Sequence, residues 1–247
     1  SQDSSGVMYF ATTGGIAKFQ GETTLATMLD GISFNKIFVD SKDNPWYISD
    51  DGIYVEDQQG DLWLINKEYP LLPEIIYDIT EDPGTGYLLM ATIEGVFLFD
   101  QENGRIDQLS NTECHSLFID SNDSIWMSSS ESILITNTPE LLENRSEALL
   151  HSLNERIQLP SGVISHITAD KYGSIWLITD SRIIQVNDID QDPIVNEQGI
   201  GIKNNEILSF MIDREDNIWI GFSGGLQRLS YRKGLKNFFP GILDSYI

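Results

Sequence analysis

The stretch ILSFMIDREDNIWIGFSGGLQRLS, residues 207–230, has near-copies earlier in the chain. CHSLFIDSNDSIWMSSSESILITN occupies 114–137, and ISHITADKYGSIWLITDSRIIQVN occupies 164–187. Each copy has an apolar run, an Asp, a short polar turn, an aromatic six residues after that Asp, and a second apolar run. A phrase repeated this closely is either a catalytic signature or a structural unit. Chemistry needs one constellation, so many near-copies point to structure.

The spacing holds along the chain. Asp40/Trp46, Asp57/Trp63, Asp120/Trp126, Asp170/Trp176 and Asp213/Trp219 account for all 5 tryptophans. Asp3/Tyr9 is a further copy with Tyr in the aromatic slot. In ITEDPGTGYLLMATIEGVFLFD the alignment puts Leu89 in that slot and one extra residue after Asp82. Trp63 is out of phase: Asp57–Gly60 matches Asp100–Gly104 as a hairpin turn, which places Trp63 on the last strand of its repeat. The in-phase slots are Tyr9, Trp46, Leu89, Trp126, Trp176 and Trp219, at spacings of 37, 43, 37, 50 and 43. Periods in this range mark one supersecondary unit per copy.

The runs NKIFVD, HSLFID, SHITAD and LSFMID are short, β-branched and aromatic, as strands are. Three residues after the Asp stand Gly6, Asp43, Asp123, Gly173 or Asp216, which tolerate left-handed backbone and favour a tight hairpin. A second strand, often a Gly, a third strand and an irregular fourth follow. Four short antiparallel strands per ~40 residues describe a propeller blade. The predicted fold is therefore all-β: a β-propeller of four-stranded antiparallel blades. About six blades fall in a single region over 1–247, with repeats near 1–33, 34–73, 74–112, 113–160, 161–204 and 205–247. The aromatic slot fills the gap between blades, and its Asp fixes the turn that aims it.

The copies resemble the two-component regulator propeller repeat, and DREDNIWIGFSGGLQRL is close to that family's wording. The resemblance implies seven-bladed propellers, often in tandem, in the periplasmic or extracellular region of membrane-anchored bacterial hybrid histidine kinases. It further implies sensing of carbohydrate fragments, with downstream immunoglobulin-like and kinase modules in the same polypeptide. The residues over 242–247, ILDSYI, read as the start of another blade, so a piece of a larger propeller is expected rather than a ring closed by that strand onto Val7–Thr12.

Composition narrows the partners. With 38 acidic against 15 basic residues the net charge is −23, which disfavours nucleic acid and anionic lipid. Cys114 is the only cysteine, so no internal disulfide or cysteine-rich metal site is available. The histidines, His115, His151 and His166, have no ligand-spaced companions, and no metal, cofactor or catalytic residue is expected. The acidic turn pairs, such as Asp40/Asp43, lack the density of a calcium loop. A 50-residue spacing contains NTPELLENRSEALLHSLNER (137–156), read as a surface helix beginning at Thr138-Pro139 and carrying His151. If a small ligand binds, the starts of the inner strands are its place. Five residues before each Asp stand Asn35, Tyr77, His115, Ser165 and Leu208; four before stand Lys36, Asp78, Ser116, His166 and Ser209. The candidate ligand residues are Asn35, Tyr77, Asp78, His115 and His166, with an oligosaccharide as the ligand. The expected function is a non-enzymatic sensory propeller. The alternatives are an enzyme of the streptogramin-lyase kind, whose relatives use a metal with a His and a Glu, and a protein-interaction scaffold. A homodimer is left open.

Overall fold

The computed structural model describes residues 1–12, 15–20, 23–28, 32–56, 61–130, 132–146, 149–153, 162–179, 182–187, 194–198, 207–212, 217–222 and 225–230. The turn at 57–60, Asp213, Asp216 and the segment 231–247 lie outside these residues, and with them the expected ring-closing or blade-starting strand. The chain divides into two compact units, residues 1–117 with 138–149 and residues 118–137 with 150–247.

Every strand belongs to a small sheet built in sequence order. The first sheet comprises β1 (Met8–Thr12), β2 (Gly15–Gln20) and β3 (Thr23–Met28). The second comprises β4 (Phe34–Val39), β5 (Pro45–Ser49), β6 (Gly52–Glu56) and β7 (Leu62–Leu64). The third comprises β8 (Ile76–Glu81), β9 (Leu88–Thr92), β10 (Gly95–Asp100) and β11 (Arg105–Ser110). The fourth comprises β12 (Ser116–Ile119), β13 (Ser124–Ser128), β14 (Ile133–Asn137) and, after helix α1 (Thr138–Asn144), β15 (His151–Ser152). The fifth comprises β16 (Ile164–Ala169), β17 (Ile175–Thr179), β18 (Ile183–Asn187) and β19 (Ile194–Gln198). The sixth comprises β20 (Ile207–Ile212), β21 (Asn217–Phe222) and β22 (Gly225–Ser230). The fold is all-β, made of small antiparallel sheets of the propeller kind.

In the first five repeats the Asp organises the first hairpin. Oδ1 of Asp40 accepts from the amides of Lys42 and Asn44, and its Oδ2 accepts from the indole Nε1–H of Trp46 at 3.1 Å. Asp120 repeats this with Asn122, Ser124 and Trp126, and Asp170 with Tyr172, Ser174 and Trp176. In the first repeat the phenol of Tyr9 takes the indole's place on Asp3. The turn needs one residue in left-handed backbone, supplied by Gly6, Asp43, Asp123 and Gly173 at φ of 88°, 64°, 58° and 83°. These are the positions expected from the sequence. In the third repeat, where Asp82 is followed by an extra residue, Gly86 takes the role at φ 73°.

The slot side chains then pack from sheet to sheet. In the first unit Trp46 lies in a core with Ile79, Met90 and Phe99 of the third sheet, its ring 6.2 Å from that of Phe99 and edge-on. In the second unit Trp126 packs among Ile167, Ile175 and Leu177 of the fifth sheet, and Trp176 among Ile207, Ile218 and Ile220 of the sixth. Strands β5, β9 and β17 are buried at every position, as a sheet covered on both faces requires. Leu89 is fully buried at the aligned position, opposite Thr80, as Trp46 is opposite Phe38. Trp63 sits on the outer strand β7, 38% exposed. Between the first and second sheets Lys18 and Glu56 form a largely buried ion pair at 2.5 Å, to which Tyr47 adds a 2.7 Å hydrogen bond.

The surface helix starts at Thr138 as expected but does not reach His151. Helix α1 ends at Asn144, where Arg145 turns into left-handed backbone at φ 51° while its amide bonds Leu141. The chain then returns to the sheet as β15, and His151, expected on the helix, pairs with Ile135. The insertion therefore interrupts the third-to-fourth strand connection of its sheet. Arg145 bonds Asp107 of β11, tying the insertion to the third sheet within the first unit.

Candidate functional site

The inner strands begin with an irregularity that the sequence does not announce. The register against the second strand shifts between Phe34 and Lys36, between Ile76 and Asp78, between Ile164 and His166, and between Ile207 and Ser209. The extra residues are Asn35, Tyr77, Ser165 and Leu208. A bulge leaves its extra residue out of the ladder and re-aims its side chain; of the four, Ser165 turns its hydroxyl back to the Ile178 carbonyl of the paired strand at 3.3 Å.

In the first unit these residues form one continuous polar strip. Asn35 Nδ2 donates to Asp50 Oδ1 at 2.6 Å. Next to it, the ammonium of Lys36 reaches Asp78 on the adjacent sheet in a short ion pair. Asp78, 3% exposed, also accepts from Ser116 Oγ at 2.8 Å and from the Leu117 amide at 3.1 Å. With the Ile79 amide donating to Oδ1 at 2.8 Å, the buried carboxylate is held by one cation and three hydrogen-bond donors, the condition under which such a charge is tolerated. Beside it the Tyr77 ring lies 5.0 Å from the His115 ring, tilted by 36°. Burial and the nearby Glu113 carboxylate push the Tyr77 phenol up from its usual value. His115 Nε2 stands 3.3 Å from Glu113 Oε1.

The structure therefore brings Asn35, Tyr77, Asp78 and His115 together. His166 belongs to the second unit, where its Nδ1 lies 3.1 Å from Ser165 Oγ. Asp50 and Glu113 were not anticipated: one sits in the β5–β6 turn and the other in the connection before β12, and neither position has a local sequence signal. Lys36 and Ser116 stand at inner-strand starts picked out by counting. Among the described residues no group of three or more His, Cys, Asp or Glu side chains is placed to hold a metal ion. No helix among them is long and apolar enough to cross a membrane.

This architecture defines a β-propeller protein. Residues 201–224 match the model of the family described as two component regulator propeller, and the chain carries a repeat of that family. Among solved structures, it is similar to the extracellular domain assigned to a hybrid two component system of B. thetaiotaomicron, with a TM-score of 0.67, 17% identity, and coverage of 94% of this chain and 33% of that one. A second such domain from the same organism gives 0.62, 15%, 92% and 37%. Virginiamycin B lyase from Staphylococcus aureus gives 0.64, 12%, 93% and 82%. At these identities the likeness is one of fold, and the chain spans about a third of the extracellular domains it matches. A comparison with curated protein sequences returns no match.

Proposed function

We propose that this chain is a sensory, ligand-binding propeller region from the extracytoplasmic part of a two-component regulator, each of its six sheets being one blade. In this reading it is non-enzymatic, belongs to a membrane-anchored bacterial protein with kinase and immunoglobulin-like modules downstream, and takes a carbohydrate fragment at the strip of inner-strand starts. The observation that carries the reading is the strip itself: an aromatic ring at Tyr77 flanked by hydrogen-bonding groups of Asn35, Lys36 and His115, contributed by successive repeats. Rings that stack on sugar C–H faces, set among polar side chains, are what recognition of a polyhydroxylated ligand asks for. The two-component regulator repeat at 201–224 supports the regulatory setting.

The test is a thermal-shift and calorimetric screen of defined oligosaccharides against the whole chain and against Tyr77→Ala. Saturable binding that the variant loses supports the reading; no binding to any glycan refutes it. A second reading, a lyase-like enzyme, draws on the likeness in fold to the S. aureus lyase and on the His115–Glu113 contact. Two donors fall short of a metal centre, so the described residues do not fit one and no step is routed through it. Stabilisation by a divalent metal that EDTA reverses, together with turnover of quinupristin, the compound bound by a catalytically inactive form of the S. aureus lyase, would favour this second reading.

A further inference from the structure

We infer that the strip of the first unit selects glycans without acidic groups, so that its ligand is a neutral oligosaccharide rather than a uronic-acid or sulfated one; this rests on the carbohydrate-binding reading above. Lys36 is the cation of the strip, and its ammonium is committed to Asp78, a carboxylate only 3% exposed that a competing anion cannot displace. Among the described residues, the other charged side chains in contact with the strip are carboxylates: Asp50, bonded to Asn35, and Glu113, beside His115. An incoming carboxylate or sulfate would have to break the Lys36–Asp78 pair, leaving the buried carboxylate only its hydrogen-bond donors, or sit against Asp50 and Glu113 with no further side-chain cation among the described contacts to balance it. Recognition of such anions elsewhere relies on an uncommitted Arg or Lys.

A sugar hydroxyl meets no such obstacle. It donates to the outward oxygens of Asp50 and Glu113 and accepts from Asn35 Nδ2, while the half-buried Tyr77 ring offers an apolar face to the C–H groups of a pyranose. The whole chain, at −23, adds a long-range field of the same sign. The same carboxylates that repel an anion are therefore the acceptors that a neutral glycan uses.

The experiment is calorimetric titration of the whole chain at pH 7.5 and low salt with tetrasaccharides of matched length: cellotetraose, galactotetraose and chitotetraose against tetragalacturonate and a sulfated chondroitin tetrasaccharide. The expected result is binding of at least one neutral probe, weakened tenfold or more by Tyr77→Ala, with the anionic probes bound at least tenfold more weakly. The double variant Asp50→Asn/Glu113→Gln is expected to raise affinity for the anionic probes several-fold, measured on protein whose circular dichroism and melting temperature match the parent. Anionic probes bound as tightly as neutral ones, with Tyr77→Ala abolishing both, overturn the charge selection and leave the glycan site standing. Binding to none of the probes removes the glycan site, and the selection with it.

Discussion

The indole nitrogen of Trp126 donates to Oδ2 of Asp120 at 2.8 Å, while Oδ1 of the same carboxylate accepts two turn amides. One side chain therefore ties a hairpin turn to the ring that fills the next inter-sheet gap, which explains why Asp and Trp keep a fixed spacing. Asp120→Ala removes the acceptor for three donors at once and is expected to cost about 2–4 kcal/mol in urea melts. Asp120→Asn, which keeps one carbonyl oxygen, should cost clearly less. Equal losses for the two variants would show that the carboxylate's bonds are not what matters.

Burial separates the tryptophans. Trp126 and Trp176 are 0% and 1% exposed, against 38% for Trp63. Trp126→Ala and Trp176→Ala should each cost roughly 3–5 kcal/mol, the range for large-to-small core changes. Trp63→Ala, on an outer strand, should cost well under half of that. Chemical denaturation of the three variants checks the ordering.

Local rules made the hairpins legible. The Asp, the left-handed residue three positions later and the aromatic lie within seven residues, and each acts through bonds to its near neighbours. What failed to show was non-local. Helix α1 ends at Asn144, and His151 and Ser152 return to pair with β14; a two-residue strand has no periodicity to detect. Lys18 and Glu56 are 38 positions apart and meet only because two sheets stack. The site was half legible for the same reason. Counting back from each Asp found the inner-strand starts, but not that Lys36 would spend its charge on Asp78, nor that Asp50 and Glu113 would border them.

Two glycines with positive φ should respond differently to a methyl group. At Gly95, φ 124°, a Cβ would stand 1.9 Å from the Ser110 carbonyl oxygen, so the third sheet's outer strand must move. Gly173, φ 83°, has nothing within 4 Å of that position. Gly95→Ala is expected to cost roughly 3 kcal/mol or more, through strain plus displaced backbone, and Gly173→Ala about 1 kcal/mol from backbone strain alone. Thermal melts of the two variants distinguish them.

Stability should fall at both pH extremes for identifiable reasons. The Asn103 hydrogen bond, working against burial, holds the Asp100 carboxyl below the usual carboxylate range. At Asp3 burial acts to raise the value, but bonds from Ser5, Val7 and Tyr9 together outweigh it and leave it lowered. A carboxyl depressed in the folded state stabilises fully above its unfolded value, ~3.9, and that contribution is lost as pH falls through the folded value. Melting temperature should therefore hold down to about pH 4 and drop below it, less steeply in Asp100→Asn. At the alkaline end burial, then the bond to Asp3, raises the Tyr9 phenol to about 12. Its contribution is complete below the unfolded value, ~10, and disappears as pH climbs through the folded one. Phenolate absorbance in Tyr9→Phe should lack one component that titrates above the ordinary phenol range, while the Tyr47 phenol, pushed up further by burial and Glu56, still titrates last.

Asp78 and Lys36 form one ion pair but should not be equally sensitive to mutation. Asp78 is 3% exposed and serves Lys36, Ser116 and the Leu117 amide, whereas the Lys36 side chain is 29% exposed and can turn toward water. Asp78→Ala leaves three buried donors, the Ile79 amide among them, and a half-buried ammonium without their acceptor, and is expected to cost about 3–5 kcal/mol. Lys36→Met keeps the aliphatic stem and leaves the carboxylate its three hydrogen-bond donors. The expected cost is about 1–2 kcal/mol, because hydrogen bonds still compensate part of the buried charge. The double variant Asp78→Asn/Lys36→Met, in which no charge remains, should recover part of the loss seen in Asp78→Ala. Urea melts of the series give the coupling. If Lys36→Met proved as damaging as Asp78→Ala, the ion pair alone would hold the strip, and the donors on Ser116 and Leu117 would count for little.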